Sequence, residues 1–101
     1  MAAPTMSQNA ILSILHQFKE SKQNDYRILR LGVFGSVARN RMTEGSDVDV
    51  VVELERPDLL ILVGIKQDLE KLLDRSVDVV HYRERMNAFL KERIRQEAVY
   101  V

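Results

Sequence analysis

The sequence predicts an α/β or α+β fold, in which helices flank a small mixed β-sheet. Apolar residues with helical spacing alternate along the chain with short runs rich in valine and isoleucine, which is the pattern of alternating helices and strands. No internal repeat or low-complexity linker interrupts this alternation. Because 101 residues are enough for one hydrophobic core and too few for two, we expect residues 1–101 to form a single domain.

The N-terminal part of the chain predicts a helix followed by a strand. Apolar residues at i, i+3, i+4 and i+7 form one stripe on a helix over residues 6–22. Thr5 or Ser7 is expected to cap this helix, and Gln8 would complete a capping box with Thr5. A mostly apolar run then predicts a buried strand over residues 28–34.

The rest of the chain continues the alternation. Valine-rich runs predict strands, and leucines at helical spacing predict helices. The expected elements are a short helix at 36–41, a loop at 43–46, a strand at 48–54, a helix at 58–73, a strand at 76–81 and a helix at 87–98. The final residues, 98–101, are apolar, and we expect them either to pack into the core or to contact a partner.

Composition excludes several classes of protein. Fifteen Lys and Arg residues balance fifteen Asp and Glu residues, which argues against a protein that grips long nucleic acids. The absence of cysteine excludes disulfides and thiolate zinc sites. The longest apolar run, Leu59 to Ile65, is too short to span a membrane, and the first residues do not resemble a secretion signal. A cytoplasmic domain is therefore expected.

Three aspartates form the first candidate site. Asp49 and Asp78 each interrupt a run of valines, although strands disfavour aspartate. Asp47 lies two residues before Asp49, so the two side chains are expected on the same face of the strand. If the third strand is adjacent and in register, Asp78 joins them. Carboxylates grouped in this way suit Mg²⁺ or Mn²⁺. Taken alone, Asp47 is equally well explained as a loop residue or cap, Asp49 as an edge-strand charge and Asp78 as the ion-pair partner of an arginine, but the three together are harder to explain in this way.

The second candidate site is the junction Gly35-Ser36, where a strand ends. Free backbone N–H groups at such a junction can bind phosphate, Gly35 allows close approach, and the Ser36 hydroxyl can donate a hydrogen bond. A phosphate site beside a carboxylate metal site predicts metal-assisted phosphoryl or nucleotidyl transfer. Arg39 and Arg41 are candidates to neutralise phosphate, although a solvated charged face explains them more simply.

The remaining polar residues are interpreted as surface. His16 is expected at the edge of the apolar stripe, and His81 is expected to be solvated rather than to act as a base. Basic and acidic residues alternate near the C-terminus and predict a mixed-charge surface. They are Arg83, Glu84, Arg85, Lys91, Glu92, Arg93, Arg95 and Glu97.

Taken together, these motifs resemble a known superfamily. Gly35-Ser36-Val37-Ala38-Arg39, followed by Gly45-Ser46-Asp47-Val48-Asp49-Val50-Val51-Val52, is similar to the signature of the DNA polymerase β-type nucleotidyltransferases. Within that superfamily, residues 8–101 resemble the minimal nucleotidyltransferase (MNT) antitoxins of HEPN/MNT toxin–antitoxin pairs. One departure is Asn40, where the family commonly has glycine.

The resemblance implies a polymerase β-like nucleotidyltransferase fold and a role for each candidate residue. Asp47, Asp49 and Asp78 would be both the metal ligands and the catalytic residues, with Asp78 helping to deprotonate the attacking hydroxyl. Gly35, Ser36 and Arg39 would bind the nucleotide. The cofactor would be Mg²⁺ or Mn²⁺, and ATP would be the substrate.

The resemblance also implies a function. The chain would be the antitoxin of a type VII-like pair and would transfer AMP from ATP to a tyrosine of its HEPN ribonuclease toxin, which silences the toxin. A non-catalytic antitoxin that acts by binding is the first alternative. A small-molecule nucleotidyltransferase is a weaker alternative, because such enzymes generally need a further domain. The expected partner is a protein rather than a membrane or a long nucleic acid.

Overall fold

A four-stranded mixed sheet with helices on both faces forms the fold. The computed structural model describes residues 6–41 and 47–101, so Thr5 and the loop predicted at 43–46 lie outside the described residues. The elements are α1 (Gln8–Lys22), β1 (Ile28–Phe34), β2 (Val48–Leu54), α2 (Leu59–Leu73), β3 (Val77–His81), α3 (Ala88–Glu97) and β4 (Val99–Tyr100). The predicted fold class is confirmed. Within the described ranges, no helix has the length and apolar character needed to cross a bilayer.

The sheet has the strand order β3-β2-β1-β4. β2 pairs antiparallel with β1 and parallel with β3, and α2 provides the crossover that a parallel pair requires. The register places Asp49 between Phe34 of β1 and Asp78 of β3. The end of β1 therefore lies beside the beginnings of β2 and β3, and this shared edge carries the candidate site.

The two faces of the sheet bury different sets of residues. Alternate residues of β2 pack into the main core against α1 and α2; they are Val48, Val50, Val52 and Leu54. On the opposite face, Val51 packs with Phe34 and with Ile94 of α3 in a smaller cluster. Because side chains alternate along a strand, the pattern that buries the core valines directs Asp49 toward the α3 face.

Each helix begins after a polar side chain that accepts a hydrogen bond from its first turn. The Ser7 Oγ accepts the Ala10 N–H at 3.1 Å, so Ser7 is the cap of α1. Asp58 and Asn87 cap α2 and α3 in the same way. The predicted helices start one or two residues too early, because an N-cap residue has non-helical backbone angles.

Gln8 connects the start of α1 to the chain that follows β1. Its Nε2 donates to the carbonyl oxygens of Val37 at 2.8 Å and Ala38 at 3.2 Å. The predicted partner in a capping box, Thr5, lies outside the described residues. Gln8 thus anchors the turn after β1, which is the turn that carries Gly35 and Ser36.

The prediction of a short helix at residues 36–41 is wrong. Residues 35–40 form a hydrogen-bonded turn, in which the Arg39 N–H donates to the Gly35 carbonyl at 3.0 Å. Asn40 has a φ of 56°, a left-handed conformation through which a right-handed helix cannot continue. Asparagine tolerates this conformation better than most residues, which accounts for Asn40 at a position where the resembled family commonly has glycine.

The C-terminal residues form a strand that the sequence patterns did not predict. Val99–Tyr100 pairs antiparallel with β1, and Tyr100 lies opposite Gly32. The Lys19 Nζ donates to the Val101 carbonyl at 2.9 Å, and the Val99 and Val101 side chains pack against the main core. Of the two expectations for this apolar segment, packing onto the core is confirmed. A two-residue strand is too short to show a period of its own.

Close approach of β4 depends on Gly32. A Cβ at this position would lie 2.5 Å from the Val99 carbonyl oxygen and 3.0 Å from the Tyr100 Cα. We expect Gly32→Ala to push β4 away from β1 and to lower the free energy of unfolding by about 1–3 kcal/mol. Urea denaturation of the variant and the wild-type protein measures the difference.

Gly64→Ala provides the matched control. A Cβ at Gly64 would lie 3.3 Å from the Tyr26 hydroxyl, which is the end of a side chain that can move slightly. Alanine also has a higher helix propensity than glycine within α2. This variant is expected to be as stable as the wild type or more stable by up to about 1 kcal/mol. Equal stability of Gly32→Ala and the wild type would contradict the role given to Gly32.

Candidate active site

Two carboxylates lie next to each other on the α3 face of the sheet. Asp49 of β2 and Asp78 of β3 are register partners in the parallel pair, so their side chains leave the same face of adjacent strands. Asp47 lies immediately before β2 and is exposed. From the sequence, Asp78 is expected to join Asp47 and Asp49 if the strands are adjacent and in register. The structure shows this register for Asp78 and Asp49.

The electrostatic environment of Asp49 reflects this crowding. Its side chain is half-buried, and burial raises the pKa of Asp49 above its usual value, with further increases from the charges of Asp78 and Asp47. The charges of Arg93 and Arg39 act in the opposite direction. Negative charge therefore accumulates at this edge of the sheet, where a cation would relieve it.

The donor chemistry at this edge fits a hard divalent cation. Carboxylate oxygens are the ligands that Mg²⁺ and Mn²⁺ prefer, and the register supplies two of them from adjacent strands. Within residues 6–41 and 47–101, however, no three acidic, histidine or cysteine side chains are gathered closely enough to hold a metal ion. The set Asp47, Asp49 and Asp78 thus remains a prediction for the metal ligands.

Gly35 brings the backbone of the β1 turn against Asp49. Its φ of 71° is left-handed, and a Cβ at this position would overlap the Asp49 Oδ2. Only glycine satisfies both requirements without strain. Ser36 follows in the same turn and is half-buried. The predicted phosphate-binding junction and the acidic pair are consequently in direct contact.

A carboxylate that the sequence patterns did not single out reaches this turn from α3. The Glu97 Oε2 accepts the Gly35 N–H at 3.3 Å and the Arg93 Nε at 3.3 Å. The Glu97 Oε1 accepts the Arg39 Nη1 at 3.0 Å. Two guanidinium groups and one backbone amide thus converge on one carboxylate, and Arg39 lies beside the Gly35 turn.

Sequence reasoning assigned Arg93 and Glu97 to a mixed-charge surface, which was incomplete. Their spacing of i, i+4 on α3 indicates an ion pair within the helix, and the structure contains it. The contact with Gly35, by contrast, joins residues 62 positions apart. No local sequence pattern predicts a contact between residues so far apart in the chain.

The other candidates lie outside this group. Arg41 is exposed at the end of the turn. His16 forms a surface pair with Glu20 at 3.1 Å, as expected for a boundary residue. His81 is three residues after Asp78 on β3, so it faces the opposite side of the sheet. Burial and the neighbouring charge of Arg83 lower the pKa of His81, and its position separates it from the acidic pair.

Comparison with known proteins places the chain in a family. The profile of the nucleotidyltransferase domain matches residues 14–101, and the chain belongs to this family. Its relatives include the protein adenylyltransferase MntA of Thermococcus cleftensis, which is 34% identical over 102 residues and aligns over 100% of both chains. A Methanocaldococcus jannaschii protein assigned as a protein adenylyltransferase is 45% identical over 75 residues, which cover 73% of this chain and 80% of the relative.

Solved structures agree with this membership. A structure described as a minimal nucleotidyltransferase superimposes with a TM-score of 0.77 at 33% identity, covering 96% of this chain and 98% of the other. A complex of a tri-AMPylated HEPN toxin with its MNT antitoxin, from Shewanella oneidensis, matches with a TM-score of 0.60 at 21% identity. That match covers 92% of this chain and 66% of the other, and it shows a shared fold.

The turn provides a direct test of the packing between Gly35 and Asp49. We expect Gly35→Ala to lower the free energy of unfolding by about 1–3 kcal/mol, because alanine is strained at positive φ and its Cβ overlaps the carboxylate. Thermal unfolding followed by circular dichroism measures the loss. Asn40→Gly is the matched control in the same turn.

Asn40 also has a positive φ, which glycine adopts without strain. Asn40→Gly is therefore expected to stay within about 0.5 kcal/mol of the wild type. If both variants were equally destabilised, the loss would reflect general fragility of the turn, and the specific contact between Gly35 and Asp49 would be refuted.

Proposed function

We propose that this chain is a Mg²⁺-dependent protein adenylyltransferase that acts as an antitoxin. It transfers AMP from ATP to a tyrosine of a HEPN ribonuclease toxin and thereby inactivates the toxin. The observation that carries the proposal is the register of β2 and β3, which aligns Asp49 with Asp78 beside the Gly35 turn. Membership of the nucleotidyltransferase family and the adenylyltransferase relatives support it.

Each candidate residue has a role in this proposal. Asp47 and Asp49 hold the divalent cation, for which Mg²⁺ is the first choice and Mn²⁺ the second, and Asp78 completes the site. When bound, the cation neutralises the triphosphate and the charge that develops during transfer. Gly35 and Ser36 bind the phosphates that depart as pyrophosphate, and Arg39 adds positive charge next to them.

The transfer itself is a displacement at the α-phosphorus of ATP. The tyrosine oxygen forms a bond to that phosphorus, and the bond from the phosphorus to the β-phosphate oxygen breaks. The hydroxyl proton passes to a carboxylate of the acidic pair, and Asp78 is the proposed acceptor because its exposed side chain is the one that an incoming tyrosine can reach. Pyrophosphate leaves along the Gly35 turn.

The surface provides support for a protein partner. Among the described residues, Leu59 and Leu60 at the start of α2 and Phe89 at the start of α3 are 75%, 82% and 89% exposed. Exposed apolar side chains mark a binding surface when they lie together, and the starts of α2 and α3 border one cavity. We propose that residues 1–101 act as one cytoplasmic domain in complex with the toxin. The Shewanella oneidensis complex contains a toxin and antitoxin of this kind.

A second candidate function is neutralisation by binding alone. The observation that favours it is the set of exposed apolar side chains at the starts of α2 and α3, which a partner protein can cover without any catalysis. In that case the carboxylates would contact basic residues of the toxin. The two functions make opposite predictions for substitutions that remove the carboxylates but preserve the shape of the side chains.

The double variant Asp47→Asn/Asp49→Asn tests catalysis. The wild-type chain, incubated with ATP, Mg²⁺ and a co-encoded HEPN protein, is expected to add one or more AMP units to that protein. The double variant is expected to lose this activity by at least about 100-fold, because it removes two proposed metal ligands. Intact-mass spectrometry of the HEPN protein measures both.

Glu53→Gln is the matched control, since Glu53 lies on the same face of β2 four residues after Asp49 and pairs with the exposed Arg30. This variant is expected to retain full activity. Neutralisation of the toxin in cells separates the two functions: full protection by the double variant would favour binding alone, and an undiminished AMP adduct would refute the proposed catalytic residues.

Metal binding has a test that does not depend on transfer. Without added metal, Asp78→Asn is expected to be as stable as the wild type or more stable by up to about 1 kcal/mol, because it removes repulsion between exposed or half-buried carboxylates. Addition of Mg²⁺ is expected to raise the unfolding temperature of the wild type more than that of the variant. Equal responses to Mg²⁺ would contradict Asp78 as a ligand.

A further inference from the structure

The Gly35 turn already holds an anion, and that anion is the Glu97 side chain. The Gly35 N–H, the Arg39 Nη1 and the Arg93 Nε all donate to its two oxygens, at 3.3, 3.0 and 3.3 Å. A backbone amide together with two guanidinium groups is the donor set with which proteins bind phosphate oxygens. The position of the Glu97 carboxylate therefore marks an anion-binding position at the turn.

The charges around this position favour an anion. Burial would raise the pKa of Glu97, but the Gly35 N–H and the two arginines outweigh burial and hold the pKa below its usual value. Within this group, two guanidinium charges face the one carboxylate charge of Glu97. Asp49 and Asp78 lie beside the group, so its excess positive charge becomes available to an anion once a divalent cation neutralises the acidic pair.

Arg93 is placed to serve this position from the last turns of α3. Its guanidinium carbon lies 5.7 Å from the centre of the Phe34 ring, and its Nη2 lies 3.5 Å from the point that a Cβ on Gly35 would occupy. Its charge also opposes the rise in the pKa of Asp49 that burial and Asp78 cause. The guanidinium group thus lies over the junction of β1 and the turn, close to Asp49.

We propose that Arg93 binds a phosphate group of the nucleotide together with Arg39 and the Gly35 N–H, and that this phosphate takes the place of the Glu97 carboxylate. The inference rests on the proposed nucleotidyltransferase function and adds a phosphate-binding residue from α3 to those of the turn. A terminal phosphate offers three acceptor oxygens and more negative charge than a carboxylate. It therefore competes effectively for the same donors, and Glu97 keeps the two arginines in place until it binds.

Binding of Mg²⁺·ATP to the full chain, measured by isothermal titration calorimetry without a partner protein, tests this inference. Arg93→Ala is expected to weaken binding about tenfold, because it removes a charge-assisted hydrogen bond to phosphate. Adenosine, which has no phosphate, is expected to bind equally to the variant and the wild type. Glu97→Gln is expected to tighten Mg²⁺·ATP binding by about three- to tenfold, because it removes the competing charge.

Arg95→Ala is the matched control on the same helix. Arg95 pairs with Glu92 at 2.6 Å on the exposed side of α3, and its removal is expected to leave nucleotide binding unchanged. Arg93→Lys, which keeps the charge but loses the planar fork, is expected to bind with intermediate affinity. Circular dichroism checks that each variant is folded. If Arg93→Ala does not fold, Arg93→Lys and Glu97→Gln still test the inference.

Binding of Mg²⁺·ATP by Arg93→Ala with wild-type affinity would overturn the inference, and so would weaker binding by Glu97→Gln. These outcomes are distinguishable from failure of the proposed function. A wild-type chain that binds Mg²⁺·ATP but transfers no AMP would refute protein adenylylation and leave the binding comparison intact. A wild-type chain that does not bind Mg²⁺·ATP would overturn both.

Discussion

The parallel pairing of β2 with β3 is the constraint on which the rest of the structure depends. It places Asp49 opposite Asp78, and the alternation along the same strands sends the valines at 48, 50 and 52 into the main core. A shift of one residue would turn those valines toward α3 and bury the carboxylate. Hydrophobic burial therefore fixes the position of two charges that repel each other, and the core stabilises a site that is unfavourable by itself.

The site also shows how a chain with no net charge can bind a highly charged substrate. Fifteen basic and fifteen acidic residues cancel over the whole sequence, yet at this edge they are separated. The Asp49 and Asp78 carboxylates lie on the sheet, whereas the guanidinium groups of Arg39 and Arg93 meet the Glu97 carboxylate between the turn and α3. A metal–triphosphate complex has the complementary arrangement, with a cation next to a polyanion. The distribution of charge, rather than its sum, matches the proposed substrate.

Much of this arrangement could be predicted from the sequence. The bounds of β1 and β2 match the predicted 28–34 and 48–54, because mostly apolar runs end at clear turn residues. The aspartates stood out because strands disfavour them. By contrast, β4 is too short to have a period, the left-handed Asn40 replaces a helix by a turn, and the contact of Glu97 with Gly35 depends on how α3 packs. Such contacts arise from tertiary structure and leave no local pattern.

The unequal size of the two hydrophobic clusters has a consequence for motion. Among the described residues, fifteen buried ones join α1 and α2 to the sheet, whereas the buried cluster beneath α3 consists of Phe34, Val51 and Ile94. Segments held by fewer buried contacts open at lower free energy than the core, and they exchange their amide hydrogens faster. α3 is thus expected to open locally at lower free energy than the main core. Because Glu97 on α3 accepts the Gly35 N–H, such opening would separate α3 from the turn, while the sheet keeps Asp49 and Asp78 in place.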